Sequence, residues 1–249
     1  MQYQEFGSTE KETILLLHGG GLSWWNYREA ASLLEDSYHV ILPILNGHAG
    51  CDHPFTSIEE NAHEIIAWID AHYGGSVLLI GGLSLGAQIL LEILAQHPDI
   101  CSYALIESAS VIPSRLTNAL IGPAFGSTYR LIQNKTFARL QFRQLRIQPS
   151  LFEDYYRDTS RIRKSDMIAF MKANTAYTLK ESLRGVSSKA HVYYGSKETR
   201  GIRRSAEEIA GTLTGCSLHC LQGFYHGDFS LNHADMYAET VRQILNEEA

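Results

Sequence analysis

Short, continuous apolar runs recur along this chain and alternate with longer stretches of helical periodicity. Continuous runs of this length are typical of parallel strands that are covered on both faces, because a strand with one wet face shows alternation instead. The sequence therefore predicts an α/β fold, with a mostly parallel central sheet and helices on both faces. The predicted strands are Thr13–Leu17, Tyr38–Leu42, Ser76–Ile80, Tyr103–Ile106, His191–Tyr194 and Ser217–Leu221.

Three helices are predicted between and after these strands. Ser57–Tyr73 opens with a serine and Glu60 at capping-box spacing. Leu85–His97 is apolar nearly all round and stops before a proline, which indicates a buried helix. Leu231–Glu247 has the pattern of an amphipathic terminal helix.

The alternation of strands and helices stops between residues 112 and 185. That segment shows helical periodicity and carries 13 Lys or Arg against 5 Asp or Glu, whereas the rest of the chain carries 8 against 22. We expect residues 112–185 to form a helical cap, inserted before the last two strands of a core made of residues 1–111 and 186–249. Such a cap would lie over the carboxyl ends of the strands, where open α/β sheets bind ligands.

Composition excludes several classes of protein. A formal net charge of −6 over 249 residues is a poor match to a nucleic-acid-binding protein. Residues 1–12 are polar, which predicts no secretory signal, and the longest uncharged window, 71–91, is interrupted by glycines and does not read as a membrane span. The four cysteines form no CxxC pair, so we expect a reducing, cytoplasmic setting. The sequence does not indicate an oligomeric state.

One serine lies in a turn that favours reactivity. The pentapeptide GLSLG at 82–86 follows a predicted strand and opens a predicted helix. In such a turn Ser84 is exposed, and Gly82 and Gly86 remove side chains that would collide. The alternative is a purely structural role, as a tight strand–helix turn with an unreactive serine.

A glycine-rich loop follows the first predicted buried strand, in the sequence HGGG at 18–21. Glycine backbone can approach a substrate closely and donate N–H groups to an oxyanion. We expect the N–H groups of Gly20 and Leu85 to be the two donors. Neither a GxxxxGK[ST] loop nor a GxGxxG fingerprint is present, so a nucleotide-binding loop is disfavoured.

Ser84 requires a base, and His226 is the best-placed candidate. It lies just beyond the last predicted strand, and an imidazole has the pKa suited to taking a hydroxyl proton near neutral pH. His48 and His53 flank Asp52 and could be read as a metal cluster, but their spacing matches no metal motif.

A carboxylate must orient the histidine, and two are candidates. Glu198 follows the strand His191–Tyr194 and is the first choice; its alternative reading is a solvated loop carboxylate. Glu107, at the carboxyl end of the strand Tyr103–Ile106, is the runner-up.

These motifs together resemble the α/β-hydrolases over almost the whole chain. The matching stretches are LLLHGGG at 15–21, GLSLG at 82–86, GSKE at 195–198 and YHGD at 225–228, in that family's order of serine, acid and histidine. The resemblance implies a serine esterase or lipase-like enzyme with Ser84 as nucleophile, Glu198 as acid, His226 as base and residues 112–185 as cap. Two departures are that many members have Asp where Glu198 stands, and that only residues 1–7 precede Thr13 to form a further strand, which leaves a sheet of seven strands or fewer.

The implied reaction is cleavage of a small carboxylic ester or thioester through an acyl-serine, with no metal and no organic cofactor. Trp24, Trp25, Leu83 and Tyr225 are candidates to line the substrate pocket, although the tryptophans could equally begin a helix and pack in the core. Helical spacing places Lys135, Arg139, Arg143 and Arg146 on one face of the cap. Such a face either is solvated, or attracts anionic substrates such as carboxylate-bearing esters, or docks on an acidic surface.

Two other functions remain open on the same scaffold. One is a lyase or synthase that uses the Ser–His pair to abstract a proton, for which a basic cap would suit a polycarboxylate substrate. The other is a hydrolase-like receptor that only binds its ligand. Fold alone does not choose among them.

Overall fold

A seven-stranded sheet forms the centre of the protein. A computed structural model describes residues 1–246, apart from the side chains of Ser127 and Thr128. The strand order is β1-β3-β2-β4-β5-β6-β7, with β1 antiparallel to β3 and every other neighbouring pair parallel. This confirms the mostly parallel sheet. The strands are β1 (Gln2–Phe6), β2 (Thr13–Leu17), β3 (His39–Ile44), β4 (Val77–Leu83), β5 (Cys101–Glu107), β6 (Lys189–Gly195) and β7 (Ser217–Leu221).

Helices cover both faces of this sheet. The α-helices are α1 (Arg28–Leu34), α2 (Ile58–Tyr73), α3 (Leu85–Gln96), α4 (Arg115–Ile132), α5 (Lys135–Gln144), α6 (Phe152–Thr159), α7 (Lys164–Ala176), α8 (Arg200–Thr212), α9 (Asp228–Asn232) and α10 (Ala234–Asn246). Short 3-10 helices lie at Trp24–Tyr27, Pro149–Leu151 and Glu181–Gly185. As the capping-box spacing predicts, the Ser57 side chain accepts a hydrogen bond from the Glu60 N–H at the start of α2.

The terminal helix is where the sequence prediction was wrong. The pattern predicts one helix over Leu231–Glu247, but α9 and α10 are separated at His233, whose φ of −132° and ψ of 55° are not helical. The α9 helix follows the turn that carries His226, and it packs in the same hydrophobic layer as α10, with the Phe229 and Tyr237 ring centroids 4.9 Å apart. Glu247 lies outside the described residues.

Alternate residues of the inner strands β2 to β6 belong to two hydrophobic layers, one on each face of the sheet. Leu15 and Leu17 of β2 are buried with α2, α3 and α8 on one face of the sheet. Ile14 and Leu16 point the other way and are buried with α1 and α10. Both faces of these inner strands are therefore shielded from water, which explains their continuous apolar runs, whereas β7 at the edge of the sheet is largely exposed.

Residues 112–185 lie between β5 and β6. This segment contains α4 to α7 and two of the 3-10 helices. Buried polar contacts join this segment to the rest of the protein. The Gln88 amide on α3 bonds both the backbone and the side chain of Asn174, and Trp25 Nε1 donates to Asp158 Oδ2 at 2.9 Å. Within residues 1–246, no helix is both long and apolar enough to cross a bilayer.

Candidate active site

Ser84 occupies a strained turn at the carboxyl end of β4. Its φ of 52° and ψ of −107° are unusual for a residue with a side chain, and α3 begins at the next residue. A Cβ on Gly86 would lie 2.1 Å from the carbonyl oxygen of Leu17, and one on Gly82 would lie 2.6 Å from the carbonyl oxygen of Gly86. Both glycines are therefore required by close backbone approach, as the GLSLG pattern predicts.

The glycine-rich loop lies beside the first turn of α3. A Cβ built on Gly20 would lie 3.5 Å from Leu85 Cδ2, so the two predicted oxyanion donors belong to neighbouring segments. Leu85 is the first residue of α3, where helix geometry provides no intrahelical acceptor for the backbone N–H. The helix N-terminus adds a partial positive charge at this point.

His48 holds the glycine-rich loop, a role that the sequence analysis missed. The N–H of Gly21 donates to His48 Nε2 at 3.0 Å, so the ring proton is on Nδ1, which donates to the carbonyl oxygen of Asn46 at 3.2 Å. Burial lowers the pKa of His48 to about 4, which keeps the ring neutral and able to accept. The ring also stacks on Phe170 of α7, with centroids 4.7 Å apart.

That contact also bears on the metal alternative. In the described part of the chain, no three His, Cys, Asp or Glu side chains are grouped as a metal site. His48 points to the loop, whereas His53 lies near Glu64. The signal available in sequence was only the position of His48 after a strand.

His226 is held by Glu198. Its Nδ1 lies 2.8 Å from Glu198 Oε2, and the other carboxylate oxygen accepts from Ser108 Oγ at 2.6 Å and from the Gly195 N–H at 2.9 Å. The side chain of Glu198 is buried, whereas 48% of the His226 side chain is exposed. The carboxylate is thus fixed by three donors and the ring reaches solvent on one side.

The two side chains shift each other's pKa in opposite directions. Burial alone would raise the pKa of Glu198, but the hydrogen bond and charge of His226, with further donors, bring it below its ordinary value. Burial lowers the pKa of His226, but the Glu198 carboxylate outweighs this effect and raises it above its ordinary value. The pair therefore favours an ionised acid beside a ring that readily takes a proton.

The turn that carries His226 lies against the strand end that carries Ser84. A Cβ built on Gly227 would lie 3.3 Å from a methyl carbon of Leu83, the residue before Ser84. The N–H of Ser84 donates to the carbonyl oxygen of Glu107 at 2.9 Å, and the N–H of Ser230 donates to the Glu107 carboxylate at 3.3 Å. Residues far apart in sequence thus converge at one edge of the sheet.

Glu107, the runner-up acid, is in a different environment. Its side chain is buried and accepts from Ser230 rather than from His226. Burial raises the pKa of Glu107 to about 7. The carboxylate hydrogen-bonded to His226 is that of Glu198.

A cavity of about 260 Å³ opens beside Ser84. Gly20, Gly21, Leu22 and Leu85 line it from the core side, and no charged side chain is among the described residues of its wall. The segment 112–185 provides the rest of the lining: Phe125, Ile132, Gln141, Leu145, Tyr155, Thr159, Met167, Phe170, Met171, Asn174 and Thr175.

The predicted pocket residues lie elsewhere. Among the described residues, the wall of this cavity does not include Trp24, Trp25, Leu83 or Tyr225. Trp25 is buried and Leu83 packs between Gly19 and Gly227. The apolar lining instead comes from helices whose register over the cavity could not be read from periodicity alone.

The predicted basic face is also altered. Lys135, Arg139 and Arg143 lie on α5, but the helix ends at Gln144, and Arg146 follows it with a left-handed φ of 57°. Arg146 stacks on the ring of Tyr225, with its guanidinium carbon 4.0 Å from the centroid. Lys135 pairs with Glu153 and Arg139 lies over Phe152.

Comparison with known proteins identifies the family. Residues 12–225 match the family model described as the alpha/beta hydrolase fold. The chain belongs to this family.

This α/β-hydrolase chain is similar in sequence to curated proteins over about half of its length. It is 33% identical over 141 residues to an AB hydrolase superfamily protein of Gibberella zeae, which covers 53% of this chain and 46% of that protein. It is 29% identical over 145 residues to Lipase 1 of Psychrobacter immobilis, covering 56% and 45% of the two chains. The chain thus matches about half the length of these curated relatives.

Among solved structures, a thermophilic esterase from Thermogutta terrifontis superposes with a TM-score of 0.82 at 16% identity, covering 99% of this chain and 93% of the other. At that identity the likeness concerns the fold.

Proposed function

We propose that this α/β-hydrolase cleaves small carboxylic esters through an acyl-serine intermediate. The observation that carries the proposal is the hydrogen bond of His226 Nδ1 to the buried Glu198, in a turn that packs against the strand end bearing the strained Ser84. We assign Ser84 as nucleophile, His226 as general base and Glu198 as the orienting acid.

Acylation begins when Ser84 Oγ attacks the ester carbonyl carbon and His226 Nε2 takes the hydroxyl proton. The carbonyl oxygen becomes an oxyanion, which accepts from the N–H groups of Gly20 and Leu85. Each such donor is worth about 3 kcal/mol of barrier. His226 then gives its proton to the departing alkoxide, so the alcohol leaves and the acyl group stays on Ser84. A water molecule, deprotonated by His226, releases the acid and restores the serine.

Glu198 supports both transfers without changing its own protonation. It holds Nδ1 protonated, which leaves Nε2 free to act as base, and it stabilises the imidazolium that forms. Because the pKa of His226 is raised, the neutral, active ring predominates only at a higher pH than it would for an unperturbed histidine. We therefore expect kcat/KM to rise with pH through a midpoint above the unperturbed value for histidine.

The acyl group is proposed to enter the cavity beneath residues 112–185, which act as the cap. Its wall is dominated by Phe125, Ile132, Met167 and Phe170, and its described residues include no Lys or Arg, so the geometry favours an apolar acyl chain over an anionic one. The volume of about 260 Å³ lies slightly below the ~300 Å³ at which pockets for drug-sized ligands begin. This suits a short acyl chain, on an ester or a thioester.

Hydrolysis of p-nitrophenyl esters tests the proposal. Each additional buried methylene contributes about 0.8 kcal/mol, or roughly fourfold in kcat/KM. We expect kcat/KM to rise from acetate through butyrate and to fall again at palmitate, which exceeds the cavity. Ser84→Ala should abolish turnover with the fold retained. Ester turnover that is equal in Ser84→Ala and wild type, or absent in wild type, would refute the proposal and return attention to the lyase or receptor alternatives.

A further inference from the structure

The helix α4 has two apolar faces, of which only one is buried. Ile121, Phe125 and Ile132 face inward, and the latter two line the cavity. At 100° per residue, Leu116 and Leu120 lie on the opposite side of the helix. An amphipathic surface helix would carry polar residues there.

The outward leucines are unusually exposed. Leu116, Leu120 and Leu131 have 74%, 56% and 45% of their surface accessible, and they fall within about 60° of one another around the helix axis. Ala119 is also exposed, about 60° to one side of Leu116 around the axis. We call Leu116, Leu120 and Leu131 the outer leucines of α4. Leu116 and Leu120 lie about one turn apart, and Leu131 lies about 16 Å further along the same side of the helix. Exposed apolar side chains grouped on one side of a surface helix indicate an interaction surface.

The charge around this strip is of one sign. From Ser108 to Phe152 the sequence contains no Asp or Glu. The basic residues of that stretch are Arg115, Arg130, Lys135, Arg139, Arg143 and Arg146. Arg115 begins α4 and Arg130 lies in its last turn, both exposed beside the outer leucines. Lys164 of α7 adds a further cation, since its ammonium donates to the carbonyl oxygen of Gly126 at 3.1 Å.

Three acidic residues of α6 and α7 form ion pairs, one of them with a basic residue of the stretch above. Glu153 is paired with Lys135, and Asp166 is paired with Arg163. Asp158 is paired with Arg157 and also accepts from Trp25. The cations of α4 therefore stand beside exposed leucines without an acidic side chain on their own helix.

We propose that the outer face of α4 binds the surface of a bilayer that contains anionic lipids. Leucines inserted among acyl chains, flanked by Arg and Lys at the level of the headgroups, are the arrangement by which a helix lies in a membrane interface. The 18 residues of α4 span about 27 Å, enough to lie along the interface. A second copy of the chain fits less well, because a two-fold contact on this face would bring like charges together.

The same helix separates the bilayer from the cavity. Phe125 and Ile132 line the cavity from the inner face of α4, and a helix with its side chains is about 10 Å thick. If the proposed esterase function holds, an ester dissolved in the membrane would be released next to its binding site. That consequence rests on the proposed function, whereas the membrane binding does not.

Sedimentation with lipid vesicles tests the inference. We expect wild type to sediment with vesicles of phosphatidylglycerol and phosphatidylcholine at low salt, and much less with phosphatidylcholine alone. Leu116→Ser/Leu120→Ser and, separately, Arg115→Gln/Arg130→Gln should each lower the partition coefficient on the anionic vesicles by about tenfold or more, at roughly fivefold per charge. Raising the salt concentration should weaken binding of wild type.

Matched controls lie outside the patch. Leu33 and Leu218 are 45% and 41% exposed on other elements, so Leu33→Ser/Leu218→Ser removes about two thirds as much exposed leucine surface and should bind as wild type does. Arg203→Gln/Arg204→Gln, two exposed positions on α8, removes the same charge and should also bind normally. Thermal unfolding of each variant establishes that it is folded, and Ser84→Ala should bind vesicles normally, which separates this test from that of the reaction.

Three results would overturn the inference. The first is that wild type does not sediment with anionic vesicles. The second is that Leu116→Ser/Leu120→Ser sediments with these vesicles to the same extent as the control Leu33→Ser/Leu218→Ser. The third is self-association of wild type that Leu116→Ser/Leu120→Ser abolishes in analytical ultracentrifugation without any vesicle binding. That result would assign the face to a second copy of the chain.

Discussion

Replacing Glu198 by Gln would change one oxygen of the acid that holds His226. The amide oxygen can still accept from Ser108 and Gly195, so the side chain keeps its place. The amide nitrogen would then face His226 Nδ1, which now lies 2.8 Å from a carboxylate oxygen. Two donors cannot face each other, so the ring must shift its proton to Nε2, which can then no longer act as base.

The loss follows from that tautomer. An equivalent change in a Ser-His-Asp enzyme lowers kcat about 10⁴-fold, which is about 5 kcal/mol at 1.36 kcal/mol per tenfold. We expect Glu198→Gln to lower kcat by about 10³- to 10⁴-fold with KM little changed. Removal of the carboxylate also removes what raises the pKa of His226, so the residual pH profile should shift to lower pH. The assay is steady-state hydrolysis of p-nitrophenyl butyrate between pH 5 and 9, with circular dichroism as a check of fold.

Glu107→Gln is the matched control, since it makes the same chemical change at the other buried carboxylate of this edge. It should retain kcat within a few-fold of wild type. A large loss in Glu107→Gln together with normal turnover in Glu198→Gln would refute the assignment of the acid and the reasoning from hydrogen bonds that supports it.

Three further measurements probe the packing around the site. Burial raises the pKa of Glu107 from 4.5 to about 7, so the folded state binds this proton more tightly than the unfolded state does. As pH rises from about 4.5 through 7, the unfolding free energy of wild type should therefore fall by about 3 kcal/mol relative to that of Glu107→Gln. Urea titration at each pH measures this difference. Trp25→Phe removes the Nε1 donor to the Asp158 carboxylate and should cost about 2 kcal/mol in the same assay, whereas an unchanged midpoint would contradict this. His48→Phe keeps an aromatic ring but leaves the Gly21 N–H without its acceptor, so kcat/KM should fall about 10- to 100-fold with stability less affected; unchanged kinetics would show that the loop is held by other contacts.

Much of the architecture could be predicted because it depends on local pattern. Continuous apolar runs predicted the six parallel strands, and for β2 to β6 the reason is that both faces of the strand are buried. GLSLG located Ser84 because both glycines face backbone atoms at distances that no Cβ tolerates. Glu198 and His226 were predictable candidates because they follow β6 and β7, and the carboxyl ends of parallel strands meet at one edge of the sheet.

The remainder depends on tertiary packing that leaves no periodic signal. The cavity is lined by α4 to α7, whose angles over the core are set by contacts such as Gln88 with Asn174. The sequence does not distinguish a tryptophan that lines a pocket from one that packs in the core. Trp25 is buried and donates to Asp158. Arg146 does not continue the helical face, because α5 ends at Gln144 and the backbone at Arg146, two residues later, is left-handed.

The most direct test of the central claim is to find which atom reacts. Wild-type protein treated with a fluorophosphonate, digested and analysed by mass spectrometry should carry the adduct on Ser84. The rate of labelling should fall about 10³-fold in His226→Ala, since the hydroxyl then has no base. An adduct on another residue, or labelling of Ser84 at an unchanged rate without His226, would contradict the account.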